Sequence, residues 1–387
     1  MERSIEILTE ILDKVAEEQD YLNYHIDIQS ASENENNYTT FLYQVTLKSQ
    51  GKDVLVLDVK VPAPDLTMRA ILPFFEMEYF FYDKLLRKYK LLEDKNNILP
   101  EHRLVTPKFY YGSDEYLKEI LVLEDLTAKG FVTNDNLNFI DWEYASKSLE
   151  NLAKFHALSI ALSEDDLEGF QNFTILSSNI DSTGIESIIE YAFSSALQVV
   201  KEENRSLLKR IFVQLFKRND KNKYYMPHSR AFIIHCNYRP SNLMHRKLDG
   251  HLEVIAVNYQ MLSLGNPIVD IVYLIFIGSN KKFRDKYLKR CLEHYYAELC
   301  KALIRFGLDP AGIYPREDFD NEVEQVLPLG LYQSLCSFMT LFVDKEVASG
   351  IKLLNLEDIT ASQKTLYVER INDVVDDFIE KGYVKFD

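Results

Sequence analysis

Strand-like sequence in this chain is almost confined to the stretch before residue 126, and that segregation limits the folds open to it. "TTFLYQVTLKS" (39–49) and "DVLVLDVKV" (53–61) are rich in β-branched and aromatic residues, and "QGKD" between them is a hairpin signal. "TPKFYYGSDEYLKEILVLEDL" (106–126) predicts two further strands around a polar turn. In the same region "SIEILTEILDKVAEEQ" (4–19) carries Ile5, Leu8, Ile11, Leu12 and Val15 at the spacing of an amphipathic helix. "MRAILPFFEMEYFFYDKLLRKYKLL" (68–92) is helical in pattern, with Pro73 near its start, where proline is tolerated.

Beyond residue 125 the pattern is helical, over 142–162, 182–218, 268–279, 283–306, 318–347 and 356–382. Only two short strands interrupt it, "AFIIH" (231–235) and "LEVIAVNYQ" (252–260). Sheet and helices kept apart along the chain predict an α+β protein of two lobes. The expected division is a small β-rich N-lobe, residues 1–125, with an N-terminal helix, an antiparallel sheet and one major helix. A larger helical C-lobe, 126–387, follows, with a connector near Glu124 to Phe131. A cleft between such lobes is a natural ligand site.

Charge narrows the partners. A formal net charge of -16 and a pI near 5.1 disfavour nucleic acid, whose phosphates call for clustered Lys and Arg. Anionic membrane surfaces are disfavoured for the same reason, and no apolar run reaches membrane-spanning length. Residues 1–19 lack the apolar core of a signal peptide. Cys236, Cys291, Cys300 and Cys336 form no CxxC pair, which points to a reducing, cytoplasmic setting. His235, Cys236 and His245 do not make a zinc site, since a fourth ligand and a workable spacing are missing.

The chemistry-bearing residues gather in "FIIHCNYRPSNLMHR" (232–246). Phe232, Ile233 and Ile234 predict a short buried strand feeding a loop that starts at His235 and offers Asn237 and Asn242. With "LVLEDLTAKGF" (121–131), "LENLAKFHALS" (149–159) and "VNYQMLSLGNPIVDIVYL" (257–274), this loop resembles the ecdysteroid-kinase-like (CHK kinase-like) family of the choline kinase and aminoglycoside phosphotransferase group. The likeness runs from about residue 35 to about residue 345 without a gap in motif spacing.

The resemblance implies a two-lobed protein-kinase-like fold and assigns roles. Lys60 takes the place of the phosphate-binding lysine, and Glu78 that of the helix glutamate paired with it. Glu124, Asp125 and Leu126 take the place of the segment whose backbone holds adenine. Asn242 matches a metal-ligating asparagine, and Asp270 an aspartate that braces the catalytic loop. His235 opens that loop.

This sequence departs from the family at the residues with direct chemical jobs. Asn237 stands where the base aspartate is expected, and an amide orients a hydroxyl but has no useful basicity. Asn258 stands where a carboxylate would hold magnesium, an ion that prefers charged oxygen ligands. Cys236 replaces a glycine, Arg239 a frequent tryptophan, and "SENENNYTTF" (32–41) puts Glu33 and Glu35 where a glycine-containing loop would cover phosphate. These departures imply a pseudokinase with ATP and magnesium held weakly, binding a small hydrophobic or hydroxylated, steroid-like molecule or a protein partner. The competing readings are an active ATP-dependent kinase of a small-molecule hydroxyl, such as an ecdysteroid, and a protein-interaction scaffold.

Overall fold

The computed structural model describes residues 2–30, 40–62, 74–116, 118–134, 139–170, 173, 185–214, 224–341, 356–357 and 360–383. The chain divides into two compact units. The first is Met1–Arg87 with Thr106–Val132, and the second is Lys88–Val105 with Thr133–Asp387. The first is a sheet with helices and the second is mostly helical, which is the α+β arrangement expected.

In the first unit, strands β1 (His25–Ser30), β2 (Thr40–Lys48), β3 (Leu55–Pro62), β4 (Phe109–Ser113) and β5 (Ile120–Glu124) form one sheet in the order β1-β2-β3-β5-β4. Every neighbouring pair is antiparallel. Helix α1 (Glu2–Glu18) lays Leu8, Ile11, Leu12, Val15 and Ala16 against Val45, Leu47, Leu57, Val59, Ile120 and Val122. The helix period of 3.6 and the strand period of 2 thus converge on one dry core. Alternation along β3 then decides where Lys60 goes: Leu57 and Val59 take the α1 face, so Lys60 projects from the opposite one.

The run expected as one helix over 68–92 is interrupted. Residues 63–73 lie outside the described residues. Phe74–Phe80 is α-helical, Phe81–Leu85 is a π-turn closed by Leu86 N–H on the Phe81 carbonyl, and Leu86–Lys95 is α-helical again. The extra residue in the turn lets the neighbouring rings of Phe81 and Tyr82 both be buried. A single boundary after residue 125 is expected from the sequence, whereas the observed division assigns Lys88–Val105 to the second unit. Packing explains this: Tyr89 meets Phe155 edge-on, and Lys88 and Lys95 pair with Asp166 and Asp165.

In the second unit the helices Trp142–Asp165 and Lys281–Arg305 each start on a side-chain cap. Asp141 accepts from Tyr144 N–H, and Asn280 from Phe283 N–H. Helix Ile268–Gly278 is apolar on all sides except at Asp270 and is buried almost throughout. Its Gly278 admits Pro240 of the 235–242 loop, because a Cβ there would lie 2.7 Å from the proline ring. The C-terminal helix Ala361–Lys381 opens on a Thr360–Gln363 capping box and is tied in by a fully buried Arg284–Asp377 pair at 2.5 Å. Four of the strands were not expected from the sequence: β1, Val132–Thr133, Leu243–Leu248 and Ser263–Gly265. Of these, Leu243–Leu248 forms a hairpin with His251–Ala256 across Asp249 and Gly250, both with positive φ.

Candidate functional site

In the first unit Lys60 Nζ lies 3.0 and 3.3 Å from the two carboxylate oxygens of Glu78, and both side chains are buried. The ion pair expected from the sequence therefore forms between β3 and the helix Phe74–Phe80. A lysine held this way keeps its charge at a fixed point rather than trailing in solvent.

The segment Glu124–Asp125–Leu126 leaves β5 with part of its hydrogen-bonding capacity used. Glu124 N–H donates to the Lys108 carbonyl at 2.8 Å, and Asp125 N–H donates to the Val56 carbonyl at 3.2 Å. The buried Asp125 carboxylate builds the following turn, accepting from Thr127 N–H, Ala128 N–H and Gln44 Nε2. Among the described residues the Leu126 N–H has no partner, so it is the amide of the three left to receive a ligand. The Asp125 side chain thus shapes the turn that follows β5.

The second unit assembles the loop. Strand Phe232–Ile234 pairs antiparallel with Ser263–Gly265, and the chain then turns at Cys236 with φ of 58°. That left-handed conformation costs a non-glycine residue roughly 1–2 kcal/mol. Asp270 holds the turn. Its Oδ2 accepts from His235 N–H at 2.7 Å and its Oδ1 from Cys236 N–H at 2.8 Å. Burial, and then the Asp270 carboxylate, push the Cys236 thiol pKa well up, so it stays protonated rather than nucleophilic. His235 Nε2 donates to the Val257 carbonyl at 3.1 Å, which turns this imidazole inward as a loop tie.

Behind Asp270 stands a pair of side chains to which the sequence reading gave no role. His156 Nε2 lies 3.2 Å from Asp270 Oδ2, and His156 Nδ1 lies 2.7 Å from the Tyr295 hydroxyl. A neutral imidazole satisfies both contacts by donating from Nε2 and accepting at Nδ1. The signal was present in "LENLAKFHALS": a histidine on the buried face of a helix whose neighbours are Ala, Leu and Phe.

The amides Asn237, Asn242 and Asn258 come together. Asn242 Nδ2 donates to the Asn237 carbonyl at 2.9 Å, and Asn258 Nδ2 donates to Asn242 Oδ1 at 2.9 Å. The first bond fixes which way Asn242 faces, and that in turn requires Asn258 to present its N–H side. Asn258 itself has φ of 62°, a conformation asparagine tolerates better than most residues. Asn237 is 8% exposed, and its side-chain amide has no protein partner among the described residues.

This donor set does not fit a magnesium ion. The oxygen of Asn242 that would face the cation already accepts an N–H, and the facing group on Asn258 is a donor without charge. Among the described residues no group of three or more His, Cys, Asp or Glu could hold a metal. Glu33 and Glu35 lie outside the described residues.

A family model described as "Ecdysteroid kinase-like family" matches residues 34–308. The chain belongs to the ecdysteroid kinase-like family. Lys60, Glu78, the 124–126 segment, the 235–242 loop, Asn258 and Asp270 all fall within the matched span. No curated protein matches the chain. Solved structures similar to it include an ethanolamine kinase of Plasmodium vivax, with 11% identity and a TM-score of 0.46 over 95% of this chain and 86% of that one. A microcompartment-associated aminopropanol kinase has 11% identity and a TM-score of 0.43 over 97% of this chain and 99% of that one. An aminoglycoside-3'-phosphotransferase of type VIII has 13% identity and a TM-score of 0.34 over 76% and 88%. No helix among the described residues is long and apolar enough to cross a membrane.

Proposed function

We propose that this member of the ecdysteroid kinase-like family is a pseudokinase: it binds nucleotide without transferring its phosphate and holds a small hydroxylated, apolar ligand at the 235–242 loop. The observation that carries this reading is the Asn258–Asn242 hydrogen bond, which occupies the oxygen that a metal-bridged phosphate would need. Phosphoryl transfer depends on cations to neutralise charge between phosphates and on a carboxylate to orient the acceptor. Here amides stand at both positions.

Binding capacity is kept. The Lys60–Glu78 pair supplies a fixed positive charge for a phosphate, and the Leu126 N–H is available to an adenine ring. On the ligand side the unpaired Asn237 amide offers both a donor and an acceptor to a hydroxyl. Tyr225, close to Cys236, Tyr332, Tyr273 and Cys336, has its pKa driven up by burial first and by those neighbours second. The Tyr225 ring and the protonated Cys236 thiol, next in the chain to the Asn237 amide, suit an apolar molecule carrying hydroxyls better than a charged one.

Calorimetric titration with ATP tests the nucleotide part. The expected affinity is equal within about threefold in magnesium and in chelator. Lys60→Met should weaken it about tenfold or more, given the roughly 1.5–3 kcal/mol of a charge-assisted hydrogen bond. Tight binding that collapses on chelation would overturn the reading. A thermal-shift panel of hydroxylated steroids addresses the second ligand, with saturable stabilisation expected.

A further inference from the structure

We infer that the amide of Asn258 substitutes for a divalent cation, so that the loop Asn237–Asn242 is closed by hydrogen bonds without a metal. This goes beyond the pseudokinase reading, which asks only that no phosphate is transferred. It depends on that reading for the absence of a cation site and not for any bound nucleotide.

The argument is one of matching charges and donors. Asn242 Nδ2 is committed to the Asn237 carbonyl, and Asn242 N–H to the Arg239 carbonyl at 2.8 Å. The Asn242 carbonyl accepts from Val257 N–H at 3.0 Å. With those bonds in place, the Asn242 side chain has only its Oδ1 to turn toward residue 258, 2.9 Å away. Two oxygens at that separation repel unless something positive lies between them. An aspartate at 258 would therefore favour a cation there, whereas an asparagine supplies its own partially positive N–H. One amide both removes the need for metal and fills its place.

The left-handed backbone at 258 and the buried setting of Asn242 hold the two groups in register. The substitution is thus a structural solution for the loop and more than a lost ligand. A chain built this way should be insensitive to divalent cations in its stability, and returning the carboxylate should make it sensitive.

Thermal unfolding in chelator and in saturating manganese tests this. The protein as it stands should melt at the same temperature in both, within about 1 °C. Asn258→Asp should melt about 2–4 °C lower in chelator, the shift expected in a chain of this size when the lost hydrogen bond is compounded by repulsion between the new carboxylate and Asn242 Oδ1, and should regain it in manganese. Asn258→Leu removes the donor without adding charge, so it should melt lower in both conditions and show no recovery. Saturable manganese stabilisation of the unsubstituted protein would overturn the inference, and that titration decides even if a variant fails to fold. Equal melting of Asn258→Asp and the unsubstituted protein in chelator would overturn it as well. Transfer of phosphate from ATP, by contrast, would sink the pseudokinase reading without touching either melting result.

Discussion

Asp270→Ala is expected to lower the unfolding free energy of the second unit by about 3–5 kcal/mol. The carboxylate is fully buried and accepts from His235 N–H, Cys236 N–H and the His156 ring. Its removal leaves buried donors with no water to replace it, and each such donor costs roughly 1–3 kcal/mol. It also releases Cys236 from a left-handed backbone that has little reason to persist alone. Asp270→Asn should recover only part of the loss, because its NH2 must face one of the two backbone donors. Urea unfolding followed by tryptophan fluorescence reads this cleanly: Trp142 is the sole tryptophan and lies in the second unit. A loss below about 1 kcal/mol would mean that the loop is held by something other than Asp270.

Glu78→Ala should be of similar size in the first unit, about 3–5 kcal/mol, because it removes the carboxylate paired with a buried ammonium. Lys60 and Glu78 have side chains only 7% and 3% exposed, so water cannot take over as partner. The companion double substitution, Lys60→Met with Glu78→Met, should recover most of the stability, since a buried pair is often no more stabilising than well-packed apolar groups. Stability would then return while phosphate affinity would not. Amide hydrogen exchange across β3 and β5 measures the first quantity, and ATP titration measures the second. If the double variant were as unstable as Glu78→Ala, packing rather than charge would account for the pair.

How much of this was legible in the sequence differs by region. The hairpin of β2 and β3 announced itself through alternating Val, Leu and Tyr around a turn, and α1 through its apolar spacing. β1 did not. "HIDIQS" carries too few strand formers to be read alone, and it becomes a strand because β2 offers it a register from His25↔Lys48 to Ser30↔Tyr43. The strand Leu243–Leu248 was missed although "LDGH" carries an Asp-Gly turn, since "MHRKL" before it reads as polar loop.

The site shows the same division. The Lys60–Glu78 pair and the Asp270 brace were legible only through the family resemblance, because a lone charge on a strand or helix can equally well face solvent. The use made of Asp125 was not, since an aspartate after a strand can cap a turn or face solvent with equal ease. Nor could spacing reveal that Asn258 donates to Asn242, because a one-dimensional pattern shows that a charge is gone and not which way the amide turns.

Single-turnover phosphate transfer from ATP labelled at the γ position, offered a panel of hydroxylated steroids and small alcohols as well as water, tests the central claim most directly. The account predicts no transfer by the unsubstituted protein. It predicts measurable transfer once Asn237→Asp and Asn258→Asp are combined, with neither alone giving half the effect, because a base without a held metal has no oriented phosphate to act on. Transfer by the unsubstituted protein at a rate that the double substitution fails to improve would contradict it.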